Sequence, residues 1–264
     1  MTIQGKLKQI EERAAAGQIL EMDLEEFIAN PLLWRKAALS ACAIVPEDAQ
    51  AFWRGVYDEL DMNVAVPAMS ALTDKQIKSL DKFNFLPVYI PSISEDKYPE
   101  GFIKPAWSKY LDVSEIERKP LKGGWVAIET IAKPDWNDPA GYAEDRLMAA
   151  VKRSSRFNTS HDDLEQGLLK AIAEATGFPK KGTRLPTAEE WNFMANLFNW
   201  LREHRGMRLP DLGATNSWEL CKNAYGSGRF LIVGNRESGE LAGVYLRRHG
   251  GRDGNVSFRV LAVL

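Results

Sequence analysis

Apolar residues recur at helical spacing through the first third of the chain and give way, after Asn84, to strand-like alternation. Leu7, Ile10 and Ala14 share one helical face, and Leu24, Phe27 and Ile28 continue it until Asn30-Pro31 breaks the run. A further helix is predicted from Leu32 to about Ile44. Pro46-Glu47-Asp48 has the proline and carboxylates of a first helical turn and leads into Phe52, Trp53, Val56, Tyr57 and Leu60. Thr73-Asp74 starts another helix, with Ile77 and Leu80 on one face. Residues 1–82 therefore read as a small helical module. Its aromatic stripe is core rather than a cofactor box, because aromatics at helical spacing are ordinarily the buried face.

The second part, residues 83–264, begins with the extended, proline-punctuated Phe85–Pro91 and continues through a loop to an alternating strand at Gly123–Ile131. Asp138-Pro139 is expected to open a helix carrying Tyr142, Leu147 and Val151 inward. Ser160-His161-Asp162-Asp163 has the hydroxyl and carboxylates of a second helix start, and Gly177 marks its end near Thr176. Thr187 and Glu190 form a capping-box pair before Trp191, Met194, Ala195 and Phe198. The chain ends on an apolar strand, Asn255–Leu264. The class is α+β.

Between Thr215 and that strand lie Tyr225–Arg229, Asn235–Gly239 and Tyr245–Gly254, segments rich in Gly, Arg and Tyr with only short apolar runs between them. If Val244, Val256, Phe258 and Val260 face the core, alternation turns Tyr225, Arg229, Asn235, Tyr245, Arg247, Arg248, His249, Arg252 and Asp253 outward. Tyr and Arg offer large contact area and directional hydrogen bonds at modest entropic cost, so these nine residues are the candidate binding surface.

With 264 residues and 45% hydrophobic content the chain can bury a proper core. A formal net charge of -2 removes any global reason to expect a nucleic-acid partner. Cys42 and Cys221 are distant in sequence and form neither a disulfide framework nor a zinc motif. The first residues lack the apolar core of a Sec signal, and no apolar run reaches the length of a membrane span, so a soluble product is expected.

The remaining chemistry-bearing residues have simpler readings. His249 is one of three histidines, and His161 and His204 belong to other segments, so it reads as polar surface with no metal site. Trp136-Asn137-Asp138 spells a triplet of calcium-dependent lectins but precedes a helix start, and no Glu-Pro-Asn accompanies it. Gly123-Gly124 and Gly250-Gly251 are turn residues without phosphate-loop context. Glu189 and Glu190 suit the positive end of a helix. Arg247, Arg248 and Arg252 read as a solvated charge cluster rather than a phosphate site.

Arg184-Leu185-Pro186-Thr187-Ala188-Glu189-Glu190-Trp191, then Asn216-Ser217-Trp218-Glu219, then Val256-Ser257-Phe258-Arg259-Val260 resemble the ordered landmarks of the formylglycine-generating-enzyme type of C-type lectin fold. The likeness spans roughly residues 120–264, with Ser257 where that family usually has Gly. It implies a C-type-lectin-like ligand-binding domain behind the helical module. The family's oxidases hold copper with paired cysteines late in the domain; here only Cys221 is present, so the resemblance implies no enzyme and no cofactor. A second branch, the variable proteins of diversity-generating retroelements, is similar in placing a Gly-Asn-x-x-Phe-Arg strand at the C-terminus, as in Gly254–Arg259. That branch implies a variable region of about residues 215–264 and a macromolecular partner, protein or glycan, on a cell or host surface. The rival readings are a degenerate oxidase and an assembly protein of a virus or cell surface.

Overall fold

The computed structural model describes residues 49–264 apart from 108–110, 117, 119, 139 and 143. The helices expected before Ala49, and the turn at Pro46-Glu47-Asp48, lie outside the described residues. Helix α1 (Ala49–Glu59) buries Trp53, Val56 and Tyr57. Helix α2 (Asp74–Lys82) begins at Thr73 with a complete capping box closed by Gln76; Leu80 is buried, but Ile77 is 40% exposed.

Both helices share cores with later parts of the chain. Trp53 Nε1 donates to the carbonyl of Pro87 at 2.8 Å, and the Tyr57 hydroxyl donates to that of Tyr89. Ala49 and Trp53 belong to the same apolar cluster as Trp191, while Leu80 joins Phe85 and Phe178 in another. A boundary at residue 82 would cut through both clusters, and the described residues form one compact unit. The apolar faces of α1 and α2 are buried against the sheets.

The described residues form two sheets. In the first, β1 (Phe85–Ile90), β3 (Gly124–Glu129), β9 (Leu261–Val263) and β4 (Thr183–Arg184) lie in that order. Pro87 is tolerated because β1 is an edge strand, paired only with β3. In the second, β2 (Ala106–Trp107), β7 (Gly243–Arg248), β6 (Arg229–Val233), β5 (Trp218–Tyr225) and β8 (Val256–Phe258) are adjacent in turn. The fold is α+β, with a hairpin joining β5 to β6.

The single terminal strand expected over Asn255–Leu264 is two strands in different sheets. Between them Arg259 and Val260 leave the second sheet and enter the first. Arg259, 1% exposed, aims its guanidinium at Glu219, with bonds of 2.9 and 3.1 Å, and donates to the Glu129 carbonyl at 2.7 Å. Those bonds hold the chain where it changes sheet.

Helix α3 (Arg146–Ala150) starts at Asp145, whose side chain accepts from the Met148 amide. It begins several residues later than Asp138-Pro139 suggested; Asp138 instead closes a turn by accepting from the Ala140 amide. Ser160 opens α4 (His161–Asp163) with a capping box, and the helix passes through a π segment (Leu164–Leu168) into α5 (Leu169–Thr176). Gly177, at φ 79°, ends it in the left-handed conformation that glycine adopts without strain. Helix α6 (Ala188–His204) has the Thr187–Glu190 capping box and buries Trp191, Met194, Ala195 and Phe198 as the periodicity predicts.

Successive residues of the second sheet enter opposite cores. Leu231 and Val233 join Cys221, Val244 and Trp191 on one side, whereas Ile232 joins Leu220, Val256, Phe258 and Ile172 on the other. The sheet is therefore covered on both faces. Beneath it lies a buried ionic layer. Arg156 bonds both oxygens of Glu129 at 2.7 and 2.8 Å and both of Asp145 at 2.6 and 2.9 Å. Glu219 also accepts from Trp191 Nε1 at 2.6 Å. Lys133 donates to the carbonyls of Ser217, at 2.8 Å, and Gly234. Every charge in this layer is answered by a partner, as low-dielectric burial requires.

Candidate functional site

Because the sheet has cores on both sides, solvent reaches it only at its edge and at the ends of its strands. Four of the nine candidate residues line one groove there. The groove, about 540 Å³ in volume, is bounded by Leu111, Arg229, Tyr245, Leu246, Arg247, Arg248 and Gly251. It lies where β7 runs beyond its short pairing with β2, which covers only Gly243 and Val244. Arg229 faces Arg248 across the β6–β7 ladder, and Phe230 faces Arg247. Tyr245, 48% exposed, lies with its ring 6.1 Å from that of Trp218. Val244, Val256, Phe258 and Val260 are buried as expected.

Two candidates point the other way. Tyr225 is 8% exposed and its hydroxyl accepts from the Asp112 amide at 3.0 Å. Asn235 is 5% exposed; its side chain accepts from the Glu237 amide and donates to the carbonyl of Asn216. Alternation turns Tyr225 toward the core that contains Cys221 and Leu231, and a 3-10 turn folds Asn235 inward as its cap. One-sided alternation turned Tyr225 outward because it does not reveal that both faces of this sheet are covered, and it does not govern Asn235, which lies in a turn beyond β6.

The last three candidates form a belt tying the β7–β8 loop to the start of α4. Arg252 makes a two-bond pair with Asp163, at 2.6 and 3.0 Å, and holds that carboxyl well below its ordinary range. Asp253 pairs with Arg247, and its carbonyl accepts from the Asn158 amide. His249 Nδ1 meets the Asp162 carboxylate, and its Nε2 lies 3.4 Å from Glu165 Oε2.

His249 is not the isolated surface residue its sequence surroundings suggested. Its ring centroid is 5.2 Å from that of His161, whose backbone amide donates to the His249 carbonyl at 3.1 Å. His161 is 5% exposed and stacks on Phe230 with ring centroids 3.5 Å apart. Its Nδ1 lies 3.5 Å from Glu165 Oε1, and neither ring nitrogen has a hydrogen-bond partner. Burial pushes the pKa of His161 below the ordinary imidazole value, and His249 adds to the effect against the pull of Glu165 and Asp162. The two histidines are far apart in the chain, so spacing alone gave no sign of their meeting.

Other polar groups are committed to structure. Glu190 closes the α6 cap and accepts two bonds from Arg184, at 2.6 and 2.7 Å. Trp136 is exposed in a turn whose amide donates to Asn216 Oδ1. Cys221 is fully buried, and burial pushes its thiol well above the ordinary value, the opposite of an activated or metal-binding thiolate. Among the described residues no helix is long and apolar enough to cross a membrane.

No protein-family model matches this chain, and no curated protein does. Among solved structures, the one described as "Crystal Structure of CarF" aligns with a TM-score of 0.36 and 14% identity, over 56% of this chain and 88% of that one.

Proposed function

We propose that this protein is a non-enzymatic ligand-binding protein with a C-type-lectin fold of the formylglycine-generating-enzyme type. In this reading its C-terminal surface, within about residues 215–264, is diversified by a retroelement to recognise a protein or glycan on a cell or host surface. The observation that carries the reading is the groove at the end of β6 and β7. It gathers Arg229, Tyr245, Arg247 and Arg248, all from the candidate variable stretch, on strands whose intervening residues are locked in two cores. Such a surface tolerates side-chain replacement because the frame does not depend on it.

The binding set is narrower than alternation alone implied. Tyr225 and Asn235 belong to the frame, Arg252 and Asp253 are engaged by ion pairs at the rim, the latter with Arg247 of the groove, and His249 meets the Asp162 carboxylate. A specific protein partner covers about 800 Å² on this side, so the groove would be the centre of a contact extending over the surrounding loops. The buried, proton-retaining thiol of Cys221 supports a binding role over copper-dependent oxidation.

The test is DNA sequencing downstream of the gene. The reading expects a near-copy of the codons for residues 215–264, differing only where the copy has adenine, with a reverse-transcriptase gene nearby. The differing codons should include those for Arg229, Tyr245, Arg247 and Arg248 and should spare Tyr225 and Asn235. A downstream region without such a copy removes the retroelement from the account.

A further inference from the structure

The cluster at the start of α4 carries an inference independent of that reading. His161, Glu165 and His249 each offer one ligating atom, and the three atoms lie within 4.8 Å of one another. The two oxygens of the Glu165 carboxylate face the two imidazoles, Oε1 at 3.5 Å from His161 Nδ1 and Oε2 at 3.4 Å from His249 Nε2. Small side-chain rotations would bring one oxygen and the two nitrogens onto a single ion with metal–ligand bonds of about 2.0–2.1 Å.

The surroundings are arranged as a metal site's would be. Asp162 faces His249 Nδ1; with the proton held there, Nε2 is free to ligate, the carboxylate–histidine pattern that orients metal-bound imidazoles. His161 is fixed by its stack on Phe230 and by its amide bond to the His249 carbonyl. Both of its ring nitrogens are buried without a partner, an unfavourable state unless a ligand answers it. Gly250 brings the loop close, since a Cβ there would lie 3.2 Å from Asp162 Oδ2. Asp163, the other nearby carboxylate, is already neutralised by Arg252.

We propose that His161, Glu165 and His249 form a binding site for a divalent transition metal of the zinc class, with Asp162 orienting His249. Imidazole nitrogen with one carboxylate suits zinc and its neighbours rather than calcium or magnesium, which take all-oxygen shells. The metal would tie the β7–β8 loop to α4 beside the groove, and three protein ligands leave one coordination position for water or a ligand carboxylate.

The experiment uses the full, untagged chain, loaded with Zn²⁺, dialysed and assayed for bound metal, with Co²⁺ substitution to read coordination from its visible spectrum. Expected are one equivalent of Zn²⁺ per chain and a four-coordinate Co²⁺ spectrum. His249→Ala and Glu165→Gln should each weaken binding by more than about 100-fold, and Asp162→Asn by about 10–100-fold. His204→Ala, remote in sequence from the cluster, should leave binding unchanged. Substoichiometric binding by the parent chain, or stoichiometric binding indifferent to His249→Ala and Glu165→Gln, would overturn the proposal. Glu165 is exposed, so its variant keeps the test valid if a histidine variant fails to fold.

Discussion

Arg156 and Arg259, each no more than 1% exposed, are surrounded by carboxylates and carbonyls, whereas Arg229 and Arg248 face water at the end of β6 and β7. The same side chain serves two purposes around one sheet. Below, each guanidinium is matched bond for bond, and its loss strands a buried anion. Above, the guanidiniums rest on the frame without supporting it. The contrast separates residues that specify the fold from residues available for recognition, a division that composition cannot make.

The sharpest way to break the contrast is Arg259→Met. It leaves Glu219 buried with one guanidinium fewer, and the expected loss is about 3–5 kcal/mol, measured by urea denaturation. Burial pushes the Glu219 carboxyl up, but Arg259 and Lys133 pull it below its ordinary value, so the variant should also make Glu219 easier to protonate. Adding Glu219→Leu to Arg259→Met should recover much of the loss. A double variant no more stable than the single one would mean that Arg259 acts through the Glu129 carbonyl instead.

Lys133 gives a pH-dependent version. Burial lowers its pKa from the ordinary value to about 8 in the folded chain. Between about 8 and about 10.4 the unfolded chain keeps the Lys133 proton that the folded chain has released, so this group's contribution to stability rises with pH across that window. The rise amounts to roughly 3 kcal/mol for this group, and Lys133→Met should abolish it. The buried Cys221 thiol, with its raised pKa, acts in the opposite direction from about pH 8.5 in parent and variant alike, and buried tyrosines, Tyr57 and Tyr142 among them, do so above about pH 10. The comparison therefore belongs below that pH, as denaturation curves of parent and variant at about pH 7.5 and about pH 9.5. Equal slopes in the two proteins would assign the titration elsewhere.

The smallest effect sharpens the other side of the contrast. Arg229→Ala, Tyr245→Ala and Arg248→Ala should each change stability by no more than about 0.5 kcal/mol. The triple variant should keep the parent's circular dichroism and urea midpoint. A cooperative loss in the triple variant would show that the rim is part of the frame.

Local signals were legible where their physics is local. The helix starts at Thr73, Ser160 and Thr187 are set by residues three apart, and periodicity picks out Trp191, Met194, Ala195 and Phe198 of α6, so sequence alone located them, although α6 is buried all round from Ala188 to Phe198. Arg259 looks no different from Arg248 in sequence because its partner, Glu219, is forty residues upstream. Tyr225 was misread because alternation assigns two faces but does not reveal that both are covered. The meeting of His161 with His249 depends on a loop returning to a helix start, which no short-range pattern encodes.

The split of the last strand has a consequence for synthesis. β9 lies between β3 and β4, so the first sheet cannot close, and the second lacks its β8 edge, until residues 256–263 have emerged from the ribosome. A nascent chain of this protein would leave apolar core surface open to solvent until then. A stop codon between Glu219 and Arg259 would leave Glu219 without Arg259 and the first sheet without a central strand, so the truncated product would be unstable and exposed to proteolysis.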